Sequence, residues 1–408
     1  MQLGLSIAWA ARILSKAQIN KAMDAMDHSK QVAILHELMS HIEAGTTART
    51  AEIRWNRGEV YASRERLKLE KERLFDAYPL VAGLSGDVPY PGSFIAQDAA
   101  GTPFILTRGH DGKVRAFLNA CRHRGTRLID QERGHALRFS CPFHAWTYDL
   151  DGKLVGLPKK ESFGEFDHAS HGLISLPVTE KYGIIWLKTK PGPAFEIDDY
   201  LSGLGRELAG WNFGRQFSFD ACAMQTKMNW KLANDTFGET YHFAILHRNT
   251  LAAIYHSNVT SYETFARNHR MVFAARSIHE LQNVPEREWQ LRPHSTIAYY
   301  IFPNTQLLVS RQNISMYRMF PDPDRPDRSV VYQSVYLDAE PANESERAVG
   351  EAALKRLKAV IIEEDFVVAE KSQAALSSGL IDEVAYGRNE PALHHYHRTF
   401  DEALAQHA

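Results

Sequence analysis

Hydrophobic residues recur at helical spacing in the first part of the chain. In residues 31–44 the apolar side chains fall three or four positions apart, and Gly45 follows as a stop signal. Residues 64–74 are amphipathic and rich in charge, which is typical of a surface helix. We therefore expect residues 1–75 to be helical, and residues 1–77 to form an N-terminal helical segment that packs on the C-terminal domain.

The pattern then changes to short strands separated by turn residues, which predicts an all-β domain of residues 78–190. Residues 104–106 and 114–118 are strand-like, and His-Asp-Gly at residues 110–112 predicts the hairpin turn between them. The Pro-Gly-Pro sequence at residues 191–193 interrupts any regular structure. We place a domain boundary there.

Residues 191–408 mix alternating and helical patterns. Strands are predicted at residues 296–302, 306–310, 314–320 and 330–336, and helix returns at residues 343–378. Strands followed by helices in one block predict an α+β domain, with an antiparallel sheet flanked by helices.

Composition narrows the function classes. The chain has 408 residues, a formal net charge of −2 and three cysteines. This balance gives no electrostatic reason to expect nucleic acid or a membrane surface as a partner, and three cysteines do not suit a secreted disulfide scaffold. Residues 1–17 lack the basic start and cleavage site of a signal peptide, and no apolar run approaches the roughly 20 residues of a membrane span. We expect a cytoplasmic protein.

Two short sequences each offer one thiolate and one imidazole. Cys121 and His123 are followed, after seventeen residues, by Cys141 and His144. In a two-iron cluster, one iron can take both cysteines and the other both histidines, which is the ligand set of a Rieske [2Fe–2S] centre. The alternative is a structural zinc site, although zinc sites more often pair like ligands with like.

A second group of candidate ligands lies downstream. On an ideal helix, Glu239 and His242 are about 60° apart, but His242 and His247 are about 140° apart. Both histidines reach one ion only if the helix is distorted or ends between them, as at a π-bulge. Taken alone, the pair is better explained as half-buried structural histidines.

Asp365 changes this interpretation because it lies in an apolar helical stretch. An unpaired carboxylate is costly to bury there, and a metal ion would compensate its charge. Two histidines and one carboxylate form the facial triad of non-haem Fe(II) oxygenases, which leaves positions open for O₂ and substrate. The alternative is a solvated helix face formed by Glu363, Glu364 and Asp365.

The chain resembles the α subunits of Rieske non-haem iron oxygenases, the aromatic-ring-hydroxylating family. Residues 121–125 and 141–146 are similar to the two cluster-binding loops, and residues 229–247 to the mononuclear-iron motif. Residues 364–373 resemble the C-terminal carboxylate motif, and residues 397–404 the closing helix. The resemblance implies a Rieske domain placed before a helix-grip (START-like) catalytic domain.

The resemblance also implies the site residues and cofactors. One [2Fe–2S] cluster would be bound by Cys121, His123, Cys141 and His144, and one Fe(II) by His242, His247 and Asp365. With O₂ as co-substrate, such a protein hydroxylates a small aromatic or other organic compound. Glu239 would accept hydrogen bonds from His242 and from His144 of the partner subunit, since the family places the cluster of one subunit beside the iron of its neighbour.

The implied partners are a separate NAD(P)H-dependent reductase, with or without a ferredoxin, and two further copies in a homotrimer, with or without a small β subunit. No glycine-rich dinucleotide fingerprint is present in the sequence, so the reductase is expected to be a separate protein. Three positions depart from the usual family pattern: Ala145 replaces a glycine, Glu239 a common aspartate, and Asp235 a common asparagine.

The sequence leaves the substrate open. Candidate pocket residues are Phe237, Tyr299, Phe302, Leu308, Met316 and Phe366. Aromatic hydroxylation and demethylation of a quaternary ammonium compound both fit, since aromatic rings also bind such cations. From other classes, a Rieske electron carrier and a non-enzymatic, metal-stabilised ligand-binding protein are alternatives. The histidines near residue 395 are expected at a solvated helix end.

Overall fold

The computed structural model describes residues 26–406, and the expectation for residues 1–17 lies outside them. The first elements are α1 (His28–Ala44), β1 (Arg54–Arg57) and α2 (Arg64–Glu70), which continues as the π-helical turn Lys71–Phe75. Helix α1 ends where predicted, because Gly45 takes a left-handed backbone with φ of 62°. The prediction of continuous helix to residue 75 is wrong at β1, which pairs with a strand more than 300 residues away.

The strand-rich part of the chain follows. Its elements are β2 (Leu80–Leu84), β3 (Ser93–Ala99), β4 (Thr102–Arg108), β5 (Val114–Leu118), β6 (Arg133–His135), β7 (Arg138–Ser140), β8 (Thr147–Asp149), β9 (Leu154–Gly156), β10 (Ser175–Leu176), β11 (Val178–Lys181) and β12 (Ile184–Leu187). They form three antiparallel sheets, with the strand orders β10-β5-β4-β3-β6, β11-β12-β2 and β7-β8-β9. The hairpin predicted at residues 110–112 joins β4 to β5, as expected.

The remaining chain builds a larger α+β unit. Its elements are α3 (Asp198–Leu201), α4 (Leu204–Gly210), β13 (Phe217–Thr226), α5 (Trp230–Asp235), β14 (Tyr255–Phe265), β15 (Asn268–Ala275), β16 (Ser295–Ile301), β17 (Thr305–Val309), β18 (Ile314–Pro321), β19 (Ser329–Leu337), α6 (Glu344–Ala359), α7 (Phe366–Leu376), β20 (Glu383–Tyr386) and α8 (Pro391–Ala405). Strands β13 to β19 form one antiparallel sheet in the order β13-β19-β18-β17-β16-β15-β14. A π-helical turn, Val360–Asp365, joins α6 to α7.

The seven-stranded sheet is buried on both faces. One face packs in a core with α1 and α4 and includes Tyr299 and Met316. The other face packs with α5, α7 and α8 and includes Tyr300 and Tyr317. Because side chains alternate along a strand, Tyr299 and Met316 point away from the face that carries the candidate iron ligands. Their prediction as pocket residues is therefore wrong.

The two parts of the chain are joined by a buried carboxylate. Asp87, which follows β2, accepts hydrogen bonds from the hydroxyls of Tyr336 at 2.6 Å and Ser218 at 2.7 Å. Beside it, a Cβ on Gly86 would lie 2.1 Å from the carbonyl oxygen of Gln216, so only glycine fits there. This contact seats the small sheets directly against the large one.

The C-terminal helix α8 is a core element. His395 is 2% exposed and His397 is fully buried. The prediction of a solvated helix end is therefore wrong, because the helix packs between the sheet and α5 and few of its positions face solvent. Within residues 26–406, no helix has both the length and the apolar character that a membrane crossing requires.

Candidate metal centres

The four candidate cluster ligands lie on two loops of matching geometry. Cys121 follows β5 and Cys141 follows β7, and in each loop the carbonyl of the cysteine accepts an N–H four residues later at 2.9 Å. The donors are Gly125 and Ala145, both with left-handed backbones. Ala145 therefore keeps the turn, at a strain of about 1–2 kcal/mol for its Cβ.

The side chains of the two loops converge. The rings of His123 and His144 lie 4.8 Å apart, and Cys121 and Cys141 are buried beneath them. Burial raises the pKa of the Cys121 thiol, so the protein alone disfavours the thiolate. A bound iron would supply the positive charge that stabilises the thiolate. Two buried thiols and two imidazoles at the surface fit the ligand set of a Rieske [2Fe–2S] cluster, which these four residues would hold.

Tyr148 contacts this centre directly. Its hydroxyl accepts the backbone N–H of Arg122 at 3.0 Å and lies 3.4 Å from the sulfur of Cys121. Because one lone pair is used by Arg122, the hydroxyl proton is free to point at the sulfur. His123 stacks on Trp146 at 4.8 Å, and Phe143 beside His144 is 53% exposed, so the imidazole edge of the centre faces outward.

The second group of candidate ligands also comes together. One ligand atom from each of His242, His247 and Asp365 lies within 4.8 Å of the others. Asp365 Oδ1 is 3.0 Å from Nε2 of His247 and 3.5 Å from Nε2 of His242. The Nε2 atom of His247 is buried and has no hydrogen-bond partner among the described residues. A nitrogen without a hydrogen-bond partner that faces a buried carboxylate is the arrangement expected where a metal ion binds between the two.

The backbone around the histidines differs from the helix assumed in the sequence analysis. Helix α5 ends at Asp235, and His242 lies in a separate 3-10 turn, Tyr241–Ala244. Glu239 precedes this turn, and its carboxylate accepts the N–H groups of Tyr241 and His242. Because the chain is not an α-helix there, the 140° separation does not apply. The π-helical turn occurs instead at the carboxylate end, just before α7.

Each histidine has its own carboxylate. Nδ1 of His242 contacts Oε1 of Glu239, and Nδ1 of His247 lies 2.5 Å from Oε2 of Glu364. An ionised carboxylate only accepts, so each Nδ1 donates to its own carboxylate and each Nε2 is left facing Asp365. Burial opposes a charge on His247, but the nearby Asp365 and Glu364 outweigh it and raise its pKa. This excess of negative charge suits a cation.

Glu364 is a site residue that sequence reasoning missed. The sequence places it in the stretch that resembles the carboxylate motif but predicts no role for it. In the structure it accepts from Nδ1 of His247 and from the hydroxyl of Thr250, at 2.8 Å for the hydroxyl. The only local signal was its position beside Asp365. Adjacent residues on a helix point about 100° apart, so helical geometry alone does not direct Glu364 and Asp365 to the same site. Which histidine Glu364 contacts is decided by the packing of distant parts of the chain.

An apolar wall flanks the candidate iron ligands. Phe243 lies 5.4 Å from the ring of His247 and packs with Tyr255, Phe273 and Leu308. Leu308 was predicted as a pocket residue, and it faces this wall. An apolar boundary on one side of a ligand set limits access of water and accommodates an organic compound.

Comparison with known proteins gives two family matches. Residues 79–177 match the Rieske [2Fe-2S] domain, and residues 208–406 match the ring hydroxylating alpha subunit (catalytic domain). The chain belongs to the α subunits of the Rieske-type oxygenases. The cofactors of the chain are a [2Fe–2S] cluster and a mononuclear iron. The matched ranges do not test the boundaries at residues 77 and 190, which stay predictions.

Several curated relatives are similar to this chain. The glycine betaine monooxygenase oxygenase subunit of Chromohalobacter salexigens is 32% identical over 55% of this chain and 49% of its own length. The biphenyl dioxygenase subunit alpha of Paraburkholderia xenovorans is 36% identical over 45% of this chain and 42% of its own. The chain therefore spans about half the length of the curated relatives it matches.

Solved structures confirm the predicted fold class. The quaternary ammonium Rieske monooxygenase CntA in complex with L-carnitine superposes with a TM-score of 0.72 at 20% identity, covering 86% of this chain and 96% of that one. Naphthalene 1,2-dioxygenase from Rhodococcus sp. gives 0.67 at 19% identity, covering 91% and 98%. The chain has the predicted Rieske domain followed by an α+β domain.

Proposed function

We propose that this chain is the terminal oxygenase component of a multicomponent Rieske oxygenase, which uses NAD(P)H-derived electrons and O₂ to oxidise a small organic substrate. The observation that carries the proposal is the arrangement of His242, His247 and Asp365. The Nε2 atoms of the two histidines and the buried carboxylate face one point, while the Nδ1 atoms contact other carboxylates. Three protein ligands leave room for O₂ and substrate at a non-haem iron.

The proposed ligands of the cluster are Cys121, His123, Cys141 and His144. When bound, the cluster would supply electrons one at a time, and the ferrous iron would supply the site for O₂. The protein's own residues orient and shield these groups. Glu239 and Glu364 hold the two imidazoles with Nε2 toward Asp365, and the wall around Phe243 keeps water from that side.

The proposed assembly is a homotrimer in which the outward-facing His123 and His144 of one subunit lie beside the iron loop of the next, the loop after α5 that carries Glu239 and His242. Exposed apolar side chains occur at both places: Phe143 beside His144, and Tyr241 and Ile245 around His242, with exposed fractions from 53% to 79%. Exposed apolar groups beside two redox sites suit a protein interface. Glu239 would then accept a hydrogen bond from His144 of the partner subunit. A cytoplasmic location is part of this proposal.

For the substrate, hydroxylation of a small aromatic or related compound is the first candidate. Oxidative demethylation of a quaternary ammonium compound is the second, favoured by the similarity to the glycine betaine monooxygenase subunit. Phe243 lies beside His247, and Tyr255 and Phe273 pack on Phe243. This aromatic group suits either class, since aromatic rings pack on aromatic substrates and also attract quaternary cations.

Reciprocal variants test the assignment of two separate centres. His242→Ala should remove the mononuclear iron and leave the Rieske visible spectrum and acid-labile sulfide intact. Cys121→Ser should abolish that spectrum. Cys222→Ser is the matched control, because this cysteine lies on β13 outside both loops, and it should change neither metal. Product formation from a panel of aromatic and quaternary-amine compounds, with a reductase, identifies the substrate class.

The proposal would be wrong if wild-type protein contained no acid-labile sulfide. It would also be wrong if His242→Ala lost the Rieske visible spectrum and kept the mononuclear iron. Product formation by His242→Ala at the wild-type rate would also contradict it. Sedimentation analysis tests the trimer independently, and a monomer that turns over substrate would refute the interface.

A further inference from the structure

A buried hydrogen-bond network lies just ahead of the candidate iron loop. Asp235, the last residue of α5, accepts the hydroxyl of Tyr61 at 2.6 Å and contacts Nε2 of His397 at 3.1 Å. The hydroxyl of Tyr386 contacts Tyr61 and lies 3.1 Å from the same nitrogen. Asn56 completes the group from β1. We call these five residues the Asp235 cluster.

The protonation of His397 follows from its neighbours. Its Nδ1 lies 3.1 Å from the amide nitrogen of Asn56, which only donates. Nδ1 must therefore accept, and Nε2 carries the proton and donates to Asp235. The side chain of His397 is fully buried and that of Asp235 is 12% exposed, so water cannot readily replace these bonds.

The cluster joins distant parts of the chain. Asn56 and Tyr61 come from the segment before the Rieske domain, and Tyr386 and His397 from the last strand and helix. Tyr61, Tyr386 and His397 contact Asp235 directly, and Asn56 contacts His397 behind them. Asp235 lies four residues before Glu239. Within residues 26–406 no lysine or arginine forms a salt bridge with Asp235, and the His397 ring is neutral. Neutral donors therefore define the orientation of the Asp235 carboxylate.

The loop after Asp235 is held from a second side. A Cβ on Gly238 would lie 2.9 Å from side-chain atoms of both Leu393 and Tyr396 on α8. The backbone of the loop at Gly238 is therefore in direct contact with side chains of α8. With one end fixed by Asp235 and the middle pressed on α8, the positions of Glu239 and His242 depend on how the Asp235 carboxylate is held.

We propose that Asp235 is a positioning residue for the mononuclear iron centre. Its hydrogen bonds to Tyr61 and His397 set the loop that carries Glu239 and His242, so that the outer parts of the chain determine the geometry of this ligand pair. The inference rests on the proposed function, because it concerns the same iron site. A displacement of about 1 Å in a catalytic constellation reduces the rate by roughly a hundredfold.

The test uses the full chain with both metals bound. Tyr61→Phe removes one donor to Asp235 and little volume, and Asp235→Asn removes the second acceptor oxygen. Tyr336→Phe is the matched control, because it deletes a buried tyrosine–aspartate bond of the same 2.6 Å length, to Asp87, away from the iron loop. The readouts are the high-spin ferrous–nitrosyl EPR signal, the Rieske spectrum, and kcat and KM separately.

We expect Tyr61→Phe and Asp235→Asn to broaden or shift the nitrosyl signal and to lower kcat by roughly tenfold or more, with KM changed less than about twofold. The Rieske spectrum should stay unchanged. His397→Gln, which keeps a donor near Nε2, should preserve the wild-type signal, whereas His397→Phe should not. Tyr336→Phe should lower thermal stability without any change in the nitrosyl signal.

Two results would overturn the inference. One is a wild-type nitrosyl signal and kcat in Tyr61→Phe and Asp235→Asn. The other is an equal signal change in Tyr336→Phe, which would assign the effect to general destabilisation. A wild-type protein that shows the nitrosyl signal but forms no product would contradict the proposed function instead, and the spectral comparison would still decide the role of Asp235.

Discussion

Replacing Glu364 by alanine should weaken metal binding at the candidate iron centre. In the wild-type structure Glu364 holds Nδ1 of His247 at 2.5 Å and the hydroxyl of Thr250 at 2.8 Å. Without it, the imidazole of His247 loses the acceptor that keeps Nε2 toward Asp365. The ring can then rotate, and its basicity as a ligand falls.

The expected size of the effect follows from the burial of these groups. Loss of such an acceptor behind a metal-binding histidine typically reduces metal affinity 10–100-fold, about 1.4–2.8 kcal/mol. His247 is 1% exposed, which favours the upper part of this range, but Glu364 is 24% exposed, so water can enter the space left by its carboxylate. We therefore expect a loss of roughly 20-fold in affinity for ferrous iron.

Chelator competition on reduced protein measures this affinity, with the Rieske absorbance as the internal standard for protein amount. Glu363→Ala is the matched control, since Glu363 is the exposed neighbour on the same turn. Glu364→Gln should lie between the two, because its amide oxygen still accepts from Nδ1. An affinity for Glu364→Ala equal to that of Glu363→Ala would refute the role of this carboxylate, as would loss of the Rieske absorbance in place of mononuclear iron.

Three further predictions concern other parts of the molecule. Glu239→Gln should keep both metals and abolish turnover, because the bridging acceptor loses its charge; metal analysis and product assay check this. Tyr148→Phe should lower the Rieske potential by roughly 20–60 mV, the equivalent of one hydrogen bond of about 0.5–1.5 kcal/mol to Cys121, as measured by redox titration. Burial lowers the pKa of His395 to about 4, against an ordinary 6.5, and lowers that of its partner His269 as well. Between pH 6.5 and 4 the unfolded chain therefore binds more protons than the folded chain. The apparent Tm should fall as the pH is lowered through that window, and the loss of stability is equivalent to about 3 kcal/mol for His395 alone.

Each of these has a clear contrary result. Normal product formation by Glu239→Gln would exclude the bridging role, and an unchanged or higher potential in Tyr148→Phe would mean that the hydroxyl does not donate to the sulfur. For the histidines, His395→Gln should flatten the dependence of Tm on pH. An equally steep fall in that variant would place the titrating group elsewhere.

The alternating strands of the large sheet and the helix that ends at Gly45 were readable because their signals are local. A period of two or of 3.6 residues reports which face is buried, and a left-handed glycine ends a helix wherever the fold places it. Strand β1 was not predicted because, in the described part of the chain, it pairs with β20 alone, which is more than 300 residues away. A strand of four residues has too little pattern of its own to be recognised.

The candidate site shows the same division. Cys121 and His123 lie two residues apart, so their shared loop is visible in the sequence. The contact between Glu364 and His247 spans 117 residues, and the burial of His397 depends on packing against α5 and the sheet. Neither leaves a periodic or short-range signal.

The sequence by itself determined the types and order of the metal-binding side chains, because thiolate, imidazole and carboxylate chemistry is a property of the residues. The tertiary structure decided which nitrogen of each histidine faces Asp365, which carboxylates hold the other nitrogens, and what keeps the iron loop in place. The physical reason is that a hydrogen bond between distant residues has a direction only after helices and sheet have packed, and packing depends on the whole chain at once.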